Sequence, residues 1–169
     1  MKIAISACLL GQAVRYDGTG KFQPSIISAL KNKVELIPFC PEVEAGLGIP
    51  REPIQLQQLG SEIRVVQVSD TSIDQTQALR DCAAAQRWLT DIDGYIFKAR
   101  SPSCGIGSTP LWNQQDTYTA TTDGEFVRSI KALYVGLPMI DEEQWRHTEN
   151  QQDFLLAART YKSRKLMLK

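Results

Sequence analysis

The sequence predicts an α/β fold: a single three-layer domain with a mostly parallel, Rossmann-like sheet and a small β-hairpin insertion. Three observations carry this. Short apolar runs rich in β-branched and aromatic residues alternate with segments of helical periodicity, a pattern that favours a parallel core with right-handed crossovers. Three of those runs lead into a loop that carries a cysteine, at Cys8, Cys40 and Cys104. The length of 169 residues fits one domain with a full core. With no linker, internal repeat or low-complexity tract, residues 1–169 are read as one unit.

The first strand is Lys2 to Ala7, and it runs into Cys8. The long loop that follows is punctuated by Asp17-Gly18 and Gly20. It lacks the Gly-Lys-Ser/Thr ending of a phosphate-binding loop. Gln23 to Lys33 reads as a helix with Pro24 in its first turn and Ile26, Ile27 and Leu30 on one face. The strand Val34 to Phe39 ends at Cys40. The proline- and glycine-dense segment after it leaves room for one helical turn at Pro41.

Ile54 to Val68 alternates as a hairpin that turns at Leu59-Gly60-Ser61-Glu62. Asp70-Thr71-Ser72 offers caps for a helix over Ile73 to Leu89. The strand Tyr95 to Lys98 enters Arg100-Ser101-Pro102-Ser103-Cys104-Gly105, which Pro102 and Gly105 break. Pro110 to Thr122 reads as polar and turn-rich, with a short edge strand at Thr117 to Thr121. A helix over Gly124 to Val135 and a strand over Pro138 to Ile140 follow. Asp141 caps a last helix through about Tyr161, with Trp145, Leu155 and Ala158 inward.

Lys plus Arg and Asp plus Glu number 19 each, so the net charge is zero and a general nucleic-acid binder is disfavoured. The basic run Arg159 to Lys169 reads as the solvated face of the last helix. No apolar run is long enough to span a bilayer, and the N-terminus reads as a core strand, not a leader. The expected setting is the cytoplasm. There thiols stay reduced, and clustered cysteines point to metal or catalysis before disulfides.

Of the four cysteines, Cys8, Cys40 and Cys104 each follow a different strand. If those strands are parallel neighbours, the three thiols converge on one edge of the sheet, where open α/β sheets bind ligands. No Cys-x-x-Cys pair is present, so the usual structural-zinc spacing is absent. Thiolates suit zinc, copper(I) or iron–sulfur centres, and three ligands to a cubane leave one iron open. Cys82, mid-helix among alanines, reads as a small buried apolar residue. His147, the only histidine, lies in a polar stretch. Glu42, two residues past Cys40, is either a general base beside the metal or a cap for the turn after Pro41. Ser101 and Ser103 are either catalytic or satisfy loop backbone. Arg15, Tyr16 and Asp17 either line the site or are turn chemistry.

Ser6-Ala7-Cys8-Leu9-Leu10-Gly11, Val14-Arg15-Tyr16-Asp17-Gly18, Cys40-Pro41-Glu42-Val43, Gly46-Leu47, Pro50-Arg51, Pro53, Lys98 and Ser101-Pro102-Ser103-Cys104-Gly105, in this order and spacing, resemble the thiouracil desulfurase family. The resemblance implies an oxygen-sensitive 4Fe-4S cluster held by Cys8, Cys40 and Cys104, with the fourth iron open to the sulfur of a thiolated pyrimidine. The family's acidic residue matches Glu42 and its loop serine Ser101 or Ser103, the expected catalytic residues; Arg15, Tyr16, Asp17 and Lys98 are the expected substrate-binding residues. The chain departs from many relatives at Val14, where a further cysteine is common. It lacks the extra domain that some relatives carry for thiolated tRNA, which tilts the expected partner toward free bases or nucleosides, in a monomer or small homo-oligomer. The implied chemistry is non-redox: the open iron acts as a Lewis acid, Glu42 deprotonates water, and sulfur leaves. Two other readings stand beside it: a metal-free enzyme that carries a persulfide on Cys104 or Cys8, and a cluster- or zinc-holding module that senses or binds without turnover.

Overall fold

The structure is a computed structural model and describes residues 1–167. Its main sheet is built from β1 (Lys2–Ser6), β2 (Glu35–Phe39), β5 (Gly94–Phe97) and β8 (Met139–Asp141). They run in the order β2-β1-β5-β8, all parallel. The second sheet, β4-β3-β6-β7, comprises β3 (Ile54–Leu59), β4 (Glu62–Gln67), β6 (Thr109–Trp112) and β7 (Tyr118–Thr122).

The main sheet is covered on both faces, which explains why its strands are apolar almost throughout. Side chains alternate across it. Ala4, Tyr95 and Phe97 face α3 (Thr76–Ala85) and α4 (Glu125–Leu133), where Cys82, Ala83, Phe126 and Ile130 are buried. Ile3, Ile5 and Ile96 face α1 (Pro24–Leu30) and α5 (Thr148–Met167), through Ile26, Leu30, Phe154 and Ala158. Pro38 is tolerated because β2 is an edge strand. The three-layer α/β class follows as expected.

The hairpin is larger than a simple insertion. Ile54–Leu59 and Glu62–Gln67 pair as expected, but β3 also pairs in parallel with β6, which lies in the segment expected to be turn-rich. Pro110 misled that reading. It sits in β6 opposite Thr121, while pairing with β3 begins only at Leu111, so no ladder bond to β3 is forfeited. Leu56, Val65 and Leu111 bury against Leu79 of α3.

Other boundaries shift. The third helix begins at Thr76, not Ile73, because Asp74 bridges to Val66 and accepts from the Thr76 N–H. Asp70 closes its own turn by accepting from Ser72. Asp141 ends β8 and accepts from the N–H groups of Glu143 and Gln144, ahead of a short 3₁₀ turn (Gln144–Arg146). α5 therefore starts at Thr148, and Trp145 is buried before it. Lys165 leaves the solvated run to pair with buried Asp93 at 3.0 Å, and Leu168 and Lys169 lie outside the described residues.

Candidate functional site

Chain order reverses between β1 and β5: the chain moves from β1 outward to β2, then returns to the other side of β1. Splayed loops leave a crevice at the carboxyl ends there. A cavity of ≈ 360 Å³ occupies it, within the size range of ligand pockets. Cys8, Cys40 and Cys104 all line it, so the convergence expected from strand order occurs.

Each cysteine is placed by its local backbone. Cys8 lies in a 3₁₀ turn (Ala7–Leu10) that continues β1, and Gly11 in the left-handed region closes that turn. The long loop is tied back by the Lys21 N–H, which donates to Cys8 O at 2.7 Å. Cys40 precedes α2 (Pro41–Glu44), with Pro41 in the first turn. Cys104 sits on a loop docked against the N-terminus of α4. The Glu125 N–H donates to Pro102 O at 2.9 Å and the Val127 N–H to Ser103 O at 3.2 Å. These carbonyls satisfy helix donors that no side chain caps. Gly124 permits this approach: a Cβ there would lie 2.5 Å from Ser103 C.

Glu42 also lines the cavity and is almost fully buried. Its Oε1 accepts from Ser103 Oγ at 2.8 Å. Its Oε2 accepts from Arg51 Nε at 2.8 Å and Arg51 Nη2 at 2.7 Å. Ser103 is fully buried behind Glu42 and is not among the lining residues. Ser101 does line the cavity, and its Oγ accepts from the N–H groups of Ser103 (3.3 Å) and Cys104 (3.2 Å). The Ser101 oxygen thus holds the loop, while its own proton has no partner among the described residues.

Arg15, Tyr16 and Lys98 line the cavity. Asp17 does not; it is exposed, and its carboxylate accepts from the Thr19 hydroxyl at 2.7 Å and the Thr19 N–H at 3.1 Å. Those bonds hold its carboxyl below the usual carboxylate range. Asp17 shapes the loop that presents Arg15, whose Nη1 also donates to Thr19 Oγ1. Lys98 Nζ donates to Ala99 O and to Glu142 Oε1, while Glu142 Oε2 accepts from the Ala99 N–H. An ammonium has three protons, so one remains for the cavity. His147 is exposed in the turn before α5, away from the cavity.

Two contributors escaped the sequence reading. Glu142 directly follows β8, as the cysteines follow the other strands, and that position is the available signal. Arg51 belongs to the Pro50-Arg51 motif in sequence, and its pairing with Glu42 arises only in the tertiary structure.

All four cysteines are free thiols. Burial, with Cys40 nearby, pushes the Cys8 thiol up to about 11. Burial raises Cys40 and raises Cys104 well above the usual thiol range, where Cys40 and Glu42 add to the effect.

The sequence profile of the 2-thiouracil desulfurase family matches residues 3–142. The chain belongs to this family. It is an enzyme of the thiouracil desulfurase type. Its fold is similar to that of a 4Fe-4S-dependent thiouracil desulfidase, TudS, with a TM-score of 0.69 and 30% identity over 92% of this chain and 98% of that one. It is also 27% identical, over 113 residues, to the uncharacterized protein YbbK of Bacillus subtilis (strain 168), covering 62% of this chain and 74% of the relative.

The donor set fits an iron–sulfur cluster. Thiolates about 2.3 Å from one zinc ion sit roughly 4 Å from each other. Among the described residues no three His, Cys, Asp or Glu side chains form a group that would hold a single ion. Cluster cysteines each take a different iron, so they need not converge on one ion. Three soft thiols around one cavity, Cys8 and Cys104 buried and Cys40 half-buried, without a disulfide, suit that arrangement.

Proposed function

We propose that this enzyme converts the thiocarbonyl of a thiolated pyrimidine, 2- or 4-thiouracil or the nucleoside, into a carbonyl. In this reading it is a cytoplasmic single-domain protein spanning residues 1–169, with a 4Fe-4S cluster held by Cys8, Cys40 and Cys104. One observation carries the proposal: three thiols from three strand ends share a cavity with a fixed carboxylate, Glu42. When bound, the cluster supplies an iron without a protein ligand, a Lewis acid for the substrate's sulfur.

The chain's own residues supply the rest. Glu42 Oε1 accepts a proton from water, whose oxygen then bonds to the thiocarbonyl carbon. Arg51 and Ser103 hold that carboxylate in one orientation, so it needs no reorganisation as water is deprotonated. Ser101 offers its free O–H, and Lys98 its remaining N–H, to the ring heteroatoms or to the charge that develops as the carbon becomes tetrahedral. Arg15 and Tyr16 form the outer wall against the pyrimidine, and Asp17 acts on the substrate only through Arg15. The carbon–oxygen bond forms, the carbon–sulfur bond breaks, and sulfur leaves with two protons from water as hydrogen sulfide. No electron is transferred.

A persulfide route is disfavoured. The nucleophile in thiol chemistry is the thiolate, and burial keeps Cys8 and Cys104 protonated near neutral pH. No histidine stands by to deprotonate them.

The test uses protein purified and reconstituted without oxygen. We expect about four irons per chain and turnover of a thiouracil to uracil with release of sulfide. Cys8→Ala, Cys40→Ala and Cys104→Ala lose iron and turnover, whereas Cys82→Ala keeps both. Full iron content without turnover on any thiolated base supports the sensor reading. Turnover that persists without iron in air overturns the cluster.

A further inference from the structure

Tyr95 lies in β5, the central strand that leads to the Cys104 loop, and is completely buried. Its ring stacks on Phe97, with centroids 3.8 Å apart and planes 12° from parallel. Its hydroxyl has no hydrogen-bond partner among the described residues. A buried hydroxyl without a partner is costly and uncommon. Phenylalanine would stack equally well here and avoid the cost. The hydroxyl therefore calls for an acceptor that arrives with something the protein binds.

Its surroundings say which kind. Tyr95 packs in the same core as Cys82 and Cys104. After burial itself, the strongest influences on the phenol are the thiols of Cys104, Cys40, Cys82 and Cys8, in that order, and all of them raise its pKa further above 10.0. Its titratable neighbours are sulfur. Three of those four thiols line the cavity. Tyr95 does not; it is buried in the core that Cys104 joins, out of reach of the substrate.

We infer that Tyr95 Oη donates a buried hydrogen bond to the sulfur centre assembled on Cys8, Cys40 and Cys104, either to a cysteinate or to an inorganic sulfide. The inference rests on the cluster reading above and adds a tuning residue to it. Hydrogen bonds to cluster sulfurs withdraw charge and raise the reduction potential, and outer partners of this kind retain the metal centre. Tyr95 is a positioning and tuning residue, since it touches neither substrate nor the reacting carbon.

Tyr95→Phe keeps the ring and its stack, and is compared with wild type in two states. In the reduced, cluster-free protein the variant unfolds at the same temperature or higher, because an unpartnered hydroxyl is gone. In the anaerobically loaded protein its cluster shows a more negative midpoint potential. Its affinity for the cluster, followed by loss to a chelator, falls by roughly 10- to 100-fold. A loaded variant with the wild-type potential and release rate overturns the inference while leaving the cluster reading intact. A cluster-free variant that melts well below wild type also overturns it, because the hydroxyl then has a partner within the protein. Wild-type protein that takes up no iron brings down the cluster reading and this inference together.

Discussion

Arg51→Ala tests whether Glu42 is held as a rigid unit. The substitution removes both bonds to Glu42 Oε2, at 2.7 and 2.8 Å, and a third from Nη1 to Gly48 O at 2.8 Å. The side chains of Arg51 and Glu42 are only 6% and 12% exposed, so this is not a surface pair worth about 0–1 kcal/mol. Removing one partner of a buried pair costs roughly 3–5 kcal/mol, because the other charge is left buried alone. The cavity admits water to Glu42, which places the expected loss at the lower end, about 3 kcal/mol. At about 2–4 °C per kcal/mol for a chain of this length, the midpoint of thermal unfolding falls by roughly 6–12 °C. The assay is unfolding of the reduced, cluster-free protein for Arg51→Ala, Glu42→Gln and the double variant. Glutamine carries no charge to strand, so the double variant recovers part of the loss of Arg51→Ala. Arg51→Lys restores a charge but not the two-point grip, and so recovers stability better than kcat. In the loaded enzyme Arg51→Ala lowers kcat by roughly 10²-fold with little change in KM, the cost of a carboxylate misplaced by about 1 Å. A loss below about 1 kcal/mol, or strictly additive effects in the double variant, refutes the reasoning.

Three further outcomes are expected. Gly124→Ala puts a Cβ 2.5 and 2.6 Å from Ser103 C and O, so the Cys104 loop must lift off α4; stability falls by about 1–3 kcal/mol, and iron bound per chain, measured after reconstitution, falls with it. Ser103→Ala removes a fully buried bond to Glu42 and costs about 1–2 kcal/mol, whereas Ser101→Ala, whose bonds to the loop are 3.2 and 3.3 Å, costs under about 1 kcal/mol while lowering kcat; equal stability losses by chemical denaturation contradict that division. In the cluster-free protein Cys8 holds its proton to about pH 11 while the unfolded thiol releases it near 9.0, so its contribution is intact below pH 9 and is lost as pH rises toward 11. The loss is about 2–3 kcal/mol from this thiol, and unfolding midpoints that stay flat from pH 8 to 10.5 rule it out.

The sequence made the main sheet legible because its strands are buried on both faces and read as unbroken apolar runs. It made the cysteine convergence legible because strand order brings strand ends together before any contact is known. Glu42 and Ser103 were visible by their distance from Cys40 and Cys104, yet their direct bond was not, since it joins residues 61 positions apart. The second sheet was half visible. Its first hairpin is local and signals itself by alternation, but β6 is four residues long, contains Pro110 and gains its identity by pairing with β3 on one side and β7 on the other. Asp17 was placed with the substrate-binding residues by motif, whereas its carboxylate is spent on Thr19, and a turn aspartate with a threonine two residues on is a local signal for that.

The same burial that makes the site good for a cluster makes it poor without one. Cys8, Cys40 and Cys104 are held protonated by desolvation, and Tyr95 Oη has no acceptor among the described residues. In the cluster reading, assembly would replace the protons on sulfur with iron and would give the phenol a partner, removing the cost of its buried, unpaired hydroxyl. Binding to the folded state alone then stabilises it by mass action, and the protons released make loading easier as pH rises. Glu42 is different in kind: its oxygens are already satisfied by Ser103 and Arg51. The Glu42 side of the cavity is preformed, while in the cluster reading the sulfur side is completed only by iron. Loss of the cluster should therefore loosen the Cys104 loop and the core around Tyr95 before it disturbs the Glu42–Arg51 pair, an order that amide exchange on Cys104, Gly105 and Leu47 would read directly.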